Sequence, residues 1–177
     1  MTVSQPALTP SGHPAAWPPE RLLADCDVRR TRRSGPGGQH RNKVETAVVL
    51  RHRPTGIEAE GHERRSLSEN RQVAIRRLRV KLALEVRRPP NSLEPVSDLW
   101  RSRCRGGRIV VSHEHADFPA LLAEALDVTL AAEADVKAAA LALGATSSQL
   151  VKFLKVEPQA FLWVNSLRRE RSLPALK

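Results

Sequence analysis

The 177 residues carry 29 Lys/Arg against 19 Asp/Glu, a net charge of +10, at a mean hydropathy of −0.38. A chain of this length holds one ordinary domain or two small ones and buries roughly 70% of its unfolded surface, so it needs no covalent staple. With only Cys26 and Cys104 for a disulfide framework and no apolar run long enough to span a bilayer, a soluble, reduced, cytoplasmic protein is expected.

The charge is unevenly divided. Residues 20–90 hold 18 Lys/Arg and 9 Asp/Glu, whereas residues 91–177 hold 11 and 10. A surplus gathered in the first segment favours a polyanion as partner. Three Trp, three Phe and no Tyr are too few aromatics for a base-stacking platform. A merely solvated basic surface is the alternative.

In chain order, residues 1–19 carry Pro6, Pro10, Pro14, Pro18 and Pro19 and read as a disordered leader, with Trp17 at its boundary. A short helical turn is expected over 20–24 and a strand over 25–33. Residues 45–52 are β-branched and apolar, Arg53-Pro54-Thr55-Gly56 is a turn sequence, and 57–62 alternate as a return strand. Ser66-Leu67-Ser68-Glu69 is a capping box that opens a helix. Its expected apolar stripe is Val73, Ile75, Leu78, Leu82 and Val86. Arg71, Arg76, Arg77, Arg79, Lys81, Arg87 and Arg88 fill the rest of its circumference, facing either solvent or RNA phosphate. Pro89 and Pro90 stop it.

Between the first two strands lies Ser34-Gly35-Pro36-Gly37-Gly38-Gln39-His40-Arg41-Asn42-Lys43. A Gly-Pro-Gly-Gly run fits neither helix nor central strand, so an exposed loop with accessible backbone N–H groups is expected. Gln39 brings an amide with two donors and one acceptor that does not titrate. Arg29, Arg30, Arg32 and Arg33 before it, and Arg41 and Lys43 within it, are candidate RNA contacts.

Residues 91–117 read as a basic linker with a short strand candidate at 109–111. His113 and His115, with Cys104 upstream, have a metal-like look but no zinc spacing. A helix starting at Asp117 with Pro119 in its first turn accounts for the segment without a metal. Residues 118–177 read as a helical module. One apolar face runs from Leu121 to Leu130, a second from Val136 to Leu143 ends at Gly144, and further helices are expected over 145–155 and 158–173. The outline is that of a helix-turn-helix, and equally that of plain three-helix packing.

Gly37-Gly38-Gln39 in its loop, the ETAVVLRHRPTGIEA stretch at 45–59 and the RRSLSENRQVAIRRLRVKL stretch at 64–82 occur in close order. Together they resemble the peptidyl-tRNA-hydrolysing domain of class I peptide chain release factors, over about residues 25–84. The resemblance implies an α+β fold for residues 20–90: a small mixed or antiparallel sheet bearing the GGQ loop, with one packed helix. The all-α module would follow it. It implies hydrolysis of the peptidyl-tRNA ester inside the ribosome, with the backbone N–H of Gln39 stabilising charge and its side chain orienting water. Gly37 and Gly38 would supply clearance, and His40 support for the loop. No cofactor or metal is implied. The expected partners are large-subunit rRNA and peptidyl-tRNA, with a protein partner at the C-terminal helices as a further option, for a monomer.

Stop-codon-reading members carry a separate codon-recognition domain, for which the 24 residues before Asp25 leave no room. The resemblance is therefore nearer to short, codon-independent rescue factors. Two features depart from those. A mixed-charge helical module stands where they have a long Lys/Arg-rich tail, and Arg41 stands where the loop usually has a small apolar residue. A non-catalytic ribosome- or RNA-binding protein that keeps the GGQ fold is the alternative reading. A DNA-binding regulator using residues 118–177 is a third, disfavoured by their near-neutral charge. Methylation of Gln39, frequent at the family's glutamine, stays open.

Overall fold

The computed structural model describes residues 12–31, 46–88 and 96–177. The described residues fall into two compact units, one up to Leu82 and one from Ala83. The fold is α+β, a small antiparallel sheet with helices and a helical C-terminal part.

In the first unit, helix α1 (Pro19–Ala24) leads into strands β1 (Cys26–Thr31), β2 (Ala47–His52) and β3 (Glu58–Gly61), followed by helix α2 (Leu67–Glu85). The sheet is an antiparallel meander, β1-β2-β3. Its register sets Val28 opposite Leu50 and Leu50 opposite Ala59. The β2–β3 turn closes with Gly56 at φ +71°, and its N–H donates to the His52 carbonyl at 2.7 Å, a left-handed position that glycine fills without strain.

Helix α2 covers one face of this sheet, but not with the expected stripe. The residues it buries fully are Asn70, Ala74, Leu78, Leu82 and Ala83, while Val73, Ile75 and Val86 are only half-buried. Close approach is the reason. A Cβ at Gly61 would overlap the Asn70 carbonyl oxygen and meet the Ala74 nitrogen at 3.0 Å, so the helix lies too near β3 for a large side chain at position 74. Leu22, Leu50, Leu78 and Leu82 complete the core, each contributing roughly 1.5–3 kcal/mol by burial.

The leader expected over 1–19 needs correction in its last part. Residues 14–16 form a 3-10 turn, started by His13, whose Nδ1 accepts from the Ala15 N–H at 3.0 Å. Ala15 and Trp17 are buried. The Trp17 ring meets His52 edge-on, at 6.2 Å between centroids, and Arg79 Nε donates to the Ala15 carbonyl at 2.8 Å. Proline-rich composition argued against a helix or strand here, yet fixed φ values suit a short turn held down by one large aromatic.

The second unit holds helix α3 (Asp98–Arg103), the hairpin β4 (Cys104–Arg105) and β5 (Arg108–Ile109), and helices α4 (Phe118–Ala131), α5 (Val136–Ala142), α6 (Ser147–Val156) and α7 (Pro158–Glu170). The segment read as a linker is thus partly built into this unit. Trp100 on α3 is buried and its Nε1–H donates to the Leu143 carbonyl at 2.7 Å. Its ring packs edge-on against Phe153, which in turn meets Phe118. Gly106 and Gly107, at φ +55° and +77°, turn the hairpin. The Gly107 carbonyl accepts from Thr146 N–H at 3.0 Å, bringing it to the start of α6. Asp117 precedes α4 as expected, but its side chain caps nothing. Arg103 holds it, with Nε at 3.0 Å and a terminal nitrogen at 2.7 Å.

A buried charge cluster joins the start of this unit to α4. Asp127 is fully buried and accepts from Arg87 at 3.0 Å and from Arg88 Nε at 2.8 Å. The Arg88 N–H adds a third bond at 3.2 Å. Burial lowers the pKa of Arg87, opposed by the Asp127 charge and hydrogen bond.

Candidate functional site

Gly37, Gly38, Gln39, Arg41 and Lys43, with Arg32 and Arg33, lie outside the described residues. The frame that carries them is described. Thr31, the last residue of β1, stands opposite Ala47, the first of β2, so the connecting segment leaves and re-enters the sheet at one end. Beside that point the chain is tied by a buried amide. Asn70 donates through Nδ2 to the carbonyls of Thr46, at 2.7 Å, and Arg64, at 2.9 Å, and its Oδ1 accepts from the Arg64 N–H at 2.8 Å. Only an amide supplies donors and an acceptor together without charge. One side chain on α2 therefore fixes both the residue where the loop re-enters and the segment leading into the helix. The Thr31 hydroxyl is buried with no hydrogen-bond partner among the described residues.

Sequence reasoning missed Asn70. The signal was present: it heads the series Asn70, Ala74, Leu78, Leu82, so a polar residue lies on the face that packs.

The basic candidates separate into two groups. Arg29 and Arg30 are exposed on β1, an edge strand. Being neighbours on a strand they point to opposite faces, Arg30 to the face that α2 covers elsewhere and Arg29 to the other. Arg71 is exposed and Arg76 partly so. Arg77, Arg79 and Lys81 each donate to a backbone carbonyl of the fold. Arg77 and Lys81, four apart, donate to the Glu60 and Glu58 carbonyls of edge strand β3, each at 2.8 Å. Those cations thereby cover an edge that would otherwise invite strand pairing. Arg77 also binds Glu63 at 2.5 Å. Burial pushes the Glu63 carboxyl up, but hydrogen bonds from Arg77 and backbone N–H groups, with the Arg77 charge, outweigh it and bring the pKa to about 2. Arg79 is committed to Ala15.

The imidazoles of the histidine segment lie beside carboxylates. His113 lies between Glu114 and Glu157, at 3.2 and 3.3 Å. His115 Nδ1 lies 3.5 Å from an Asp117 carboxylate oxygen. The Cys104 thiol donates to the Gly144 carbonyl at 3.5 Å, and burial raises its pKa. Among the described residues no three His, Cys, Asp or Glu side chains converge as metal ligands, and no helix is long and apolar enough to cross a membrane.

The RF-1 domain family matches residues 23–104, which begin before β1 and run through α2 and α3. Over that stretch, a little under half of the chain, it is similar to the class I peptide chain release factors. It is 44% identical over 59 residues to peptide chain release factor 1 of Xylella fastidiosa (strain 9a5c). With peptide chain release factor 2 of Staphylococcus haemolyticus it shares 45% over 58 residues. With the chloroplastic peptide chain release factor PrfB1 of Arabidopsis thaliana it shares 48% over 58 residues. Each alignment takes in 33% of this chain but only 16%, 16% and 13% of the relative. The RF-1 match therefore places the loop, with its Gly-Gly-Gln, inside a release-factor domain, and leaves residues 105–177 outside it.

Proposed function

We propose that this chain releases nascent peptides by hydrolysing the peptidyl-tRNA ester inside the ribosome, with Gly37, Gly38 and Gln39 at the reacting bond and without a stop codon. The observation that carries the reading is the RF-1 match across the hairpin that holds the loop. Ester hydrolysis needs water in line and a donor aimed at the developing oxyanion. The Gln39 N–H supplies the donor, worth about 2.7–4 kcal/mol when preorganised, and its side chain orients water. Glycines at 37 and 38 let the backbone approach the substrate closely. Arg29, Arg30, Arg32, Arg33, Arg41, Lys43, Arg71 and Arg76 contact rRNA or tRNA phosphate. Arg77, Arg79 and Lys81 contribute positive field while bonded within the fold.

Independence of the stop codon belongs to the same reading, and what supports it is the helical unit from Ala83 on, most of which lies beyond the matched residues. Such a protein works on stalled ribosomes in the cytoplasm, and its chemistry uses ribosomal RNA in place of a metal or cofactor. The deciding experiment is peptide release from ribosomes holding peptidyl-tRNA on truncated mRNA, with stop-codon complexes alongside. Wild type should release without a stop codon, and Gln39→Ala, which keeps the backbone N–H and loses only the amide that orients water, should be slower. Equal rates for the two proteins would remove the Gln39 side chain from the chemistry.

A further inference from the structure

Summed over residues 118–177, charge nearly cancels: seven Lys/Arg stand against six Asp/Glu. The fold sorts them. Five of the seven cations, Lys137, Lys152, Lys155, Arg168 and Lys177, line one open groove of about 590 Å³. Of the six acids only Asp135 joins them, and its carboxylate is already occupied as the cap of α5, accepting from the N–H groups of Lys137 at 2.8 Å and Ala138 at 3.1 Å. Glu124, Asp127, Glu133, Glu157 and Glu170 are not in the lining.

Each wall is held in place. On α6, Ser148, Lys152 and Lys155 recur at i, i+4 and i+7, along one face, and the lining includes Ser147 and Ser148 in the first turn of that ten-residue helix. The positive end of the helix dipole adds to the field there. On α7, Arg168 is fixed by the Ala134 carbonyl at 2.5 Å and the Pro174 carbonyl at 2.7 Å. The segment after α7 is pinned by Asn165, whose Oδ1 accepts from the Leu176 N–H at 2.7 Å. Val136, Val151 and Leu176 supply the apolar part of the lining, and no aromatic side chain belongs to it.

We infer that this groove binds the phosphate backbone of structured RNA, as a second RNA contact separate from the release-factor domain. Clustered ammonium groups match a row of phosphates. The lack of aromatics argues against base stacking, and equally against the aromatic anchors that dominate protein–protein contacts. Choosing RNA among polyanions rests on the ribosomal reading above.

The test uses the full chain and a fluorescein-labelled RNA hairpin, with affinity followed by anisotropy as salt is raised. Lys152→Gln/Lys155→Gln removes two charges from the groove, and Arg169→Gln/Arg171→Gln removes two from the same unit outside it. The groove pair should lower the slope of log K against log salt by about 1.4–1.8, and the outer pair by less than half of that. Equal slopes for the two pairs would overturn the inference, since a diffuse field would then account for binding. An Asp/Glu-rich peptide that binds wild type but not the groove pair, with RNA binding unchanged, would also overturn it, in favour of a protein partner. Gln39→Ala should bind the hairpin as wild type does whether or not it releases peptide, so failure of the hydrolase reading is distinguishable from failure of this one.

Discussion

The two units spend their positive charge differently. In the first, surplus is large, yet Arg77, Arg79 and Lys81 are bonded to backbone carbonyls and act partly as structural clips. In the second, the surplus is almost nil, yet five cations share one groove. Net charge along a segment therefore says little about local field. What decides is whether neighbouring acids are placed beside the cations, buried, or turned to helix caps. The second unit uses all three: Asp117 beside Arg103, Asp127 inside, Asp135 at a cap.

The units also differ in what their packing depends on, and the largest expected effects probe that difference. In the second unit, Asp127→Ala leaves Arg87 buried beside Arg88 with no counter-charge, at a cost of about 3–5 kcal/mol. Denaturant unfolding followed through Trp100 and Trp163 measures it. Replacing the set by apolar residues, with Arg87→Met and Asp127→Leu together, should recover much of the loss; if the double variant is no better than Asp127→Ala, geometry rather than buried charge governs the site. In the first unit no such cluster exists among the described residues, and the sensitive point is steric. Gly61→Ala forces α2 away from β3, costing on the order of 1–3 kcal/mol. Loss of protection from hydrogen exchange at β2 and β3 would report it, and a variant as stable as wild type would disprove the close approach.

Much of the first unit was legible because its signals are local. The β-branched, apolar run of β2, the Pro-Thr-Gly turn and the serine-led start of α2 are written within a few residues of where they act. What escaped was non-local. The importance of Asn70 depends on Thr46, 24 residues away, coming within 2.7 Å, and that of Ala74 depends on Gly61 being opposite. Trp100 and Asp127 escaped for the same reason, since their partners Leu143 and Arg87 are 43 and 40 residues distant. Composition misled at residues 12–18, where prolines suit an ordered turn as well as a disordered leader. At the candidate site, the frame of the loop is visible in the structure, while Gln39 itself is known through the sequence alone.

A smaller effect sharpens the contrast through pH. His52 is buried, with Nδ1 at 2.8 Å from the Thr55 hydroxyl and Nε2 without a hydrogen-bond partner among the described residues. Burial lowers its pKa below the usual 6.5, with Arg53 assisting and Asp25 opposing. In the window below about 6.5 the unfolded chain therefore binds the proton that the folded chain refuses, so stability should be lost as pH falls and regained as it rises. The slope cannot exceed about 1.4 kcal/mol per pH unit for one group. Trp17, edge-on to the His52 ring, reports the first unit by its emission. Its unfolding midpoint should fall between pH 7 and pH 5, and His52→Gln should flatten that dependence whatever it does to stability at pH 7. In the second unit His113 and His115 instead lie part-exposed beside carboxylates, and no buried neutral imidazole is there to be charged. A transition of Trp100 and Trp163 that weakened in step with Trp17 over this window would mean that acid acts on the chain as a whole, and not through His52.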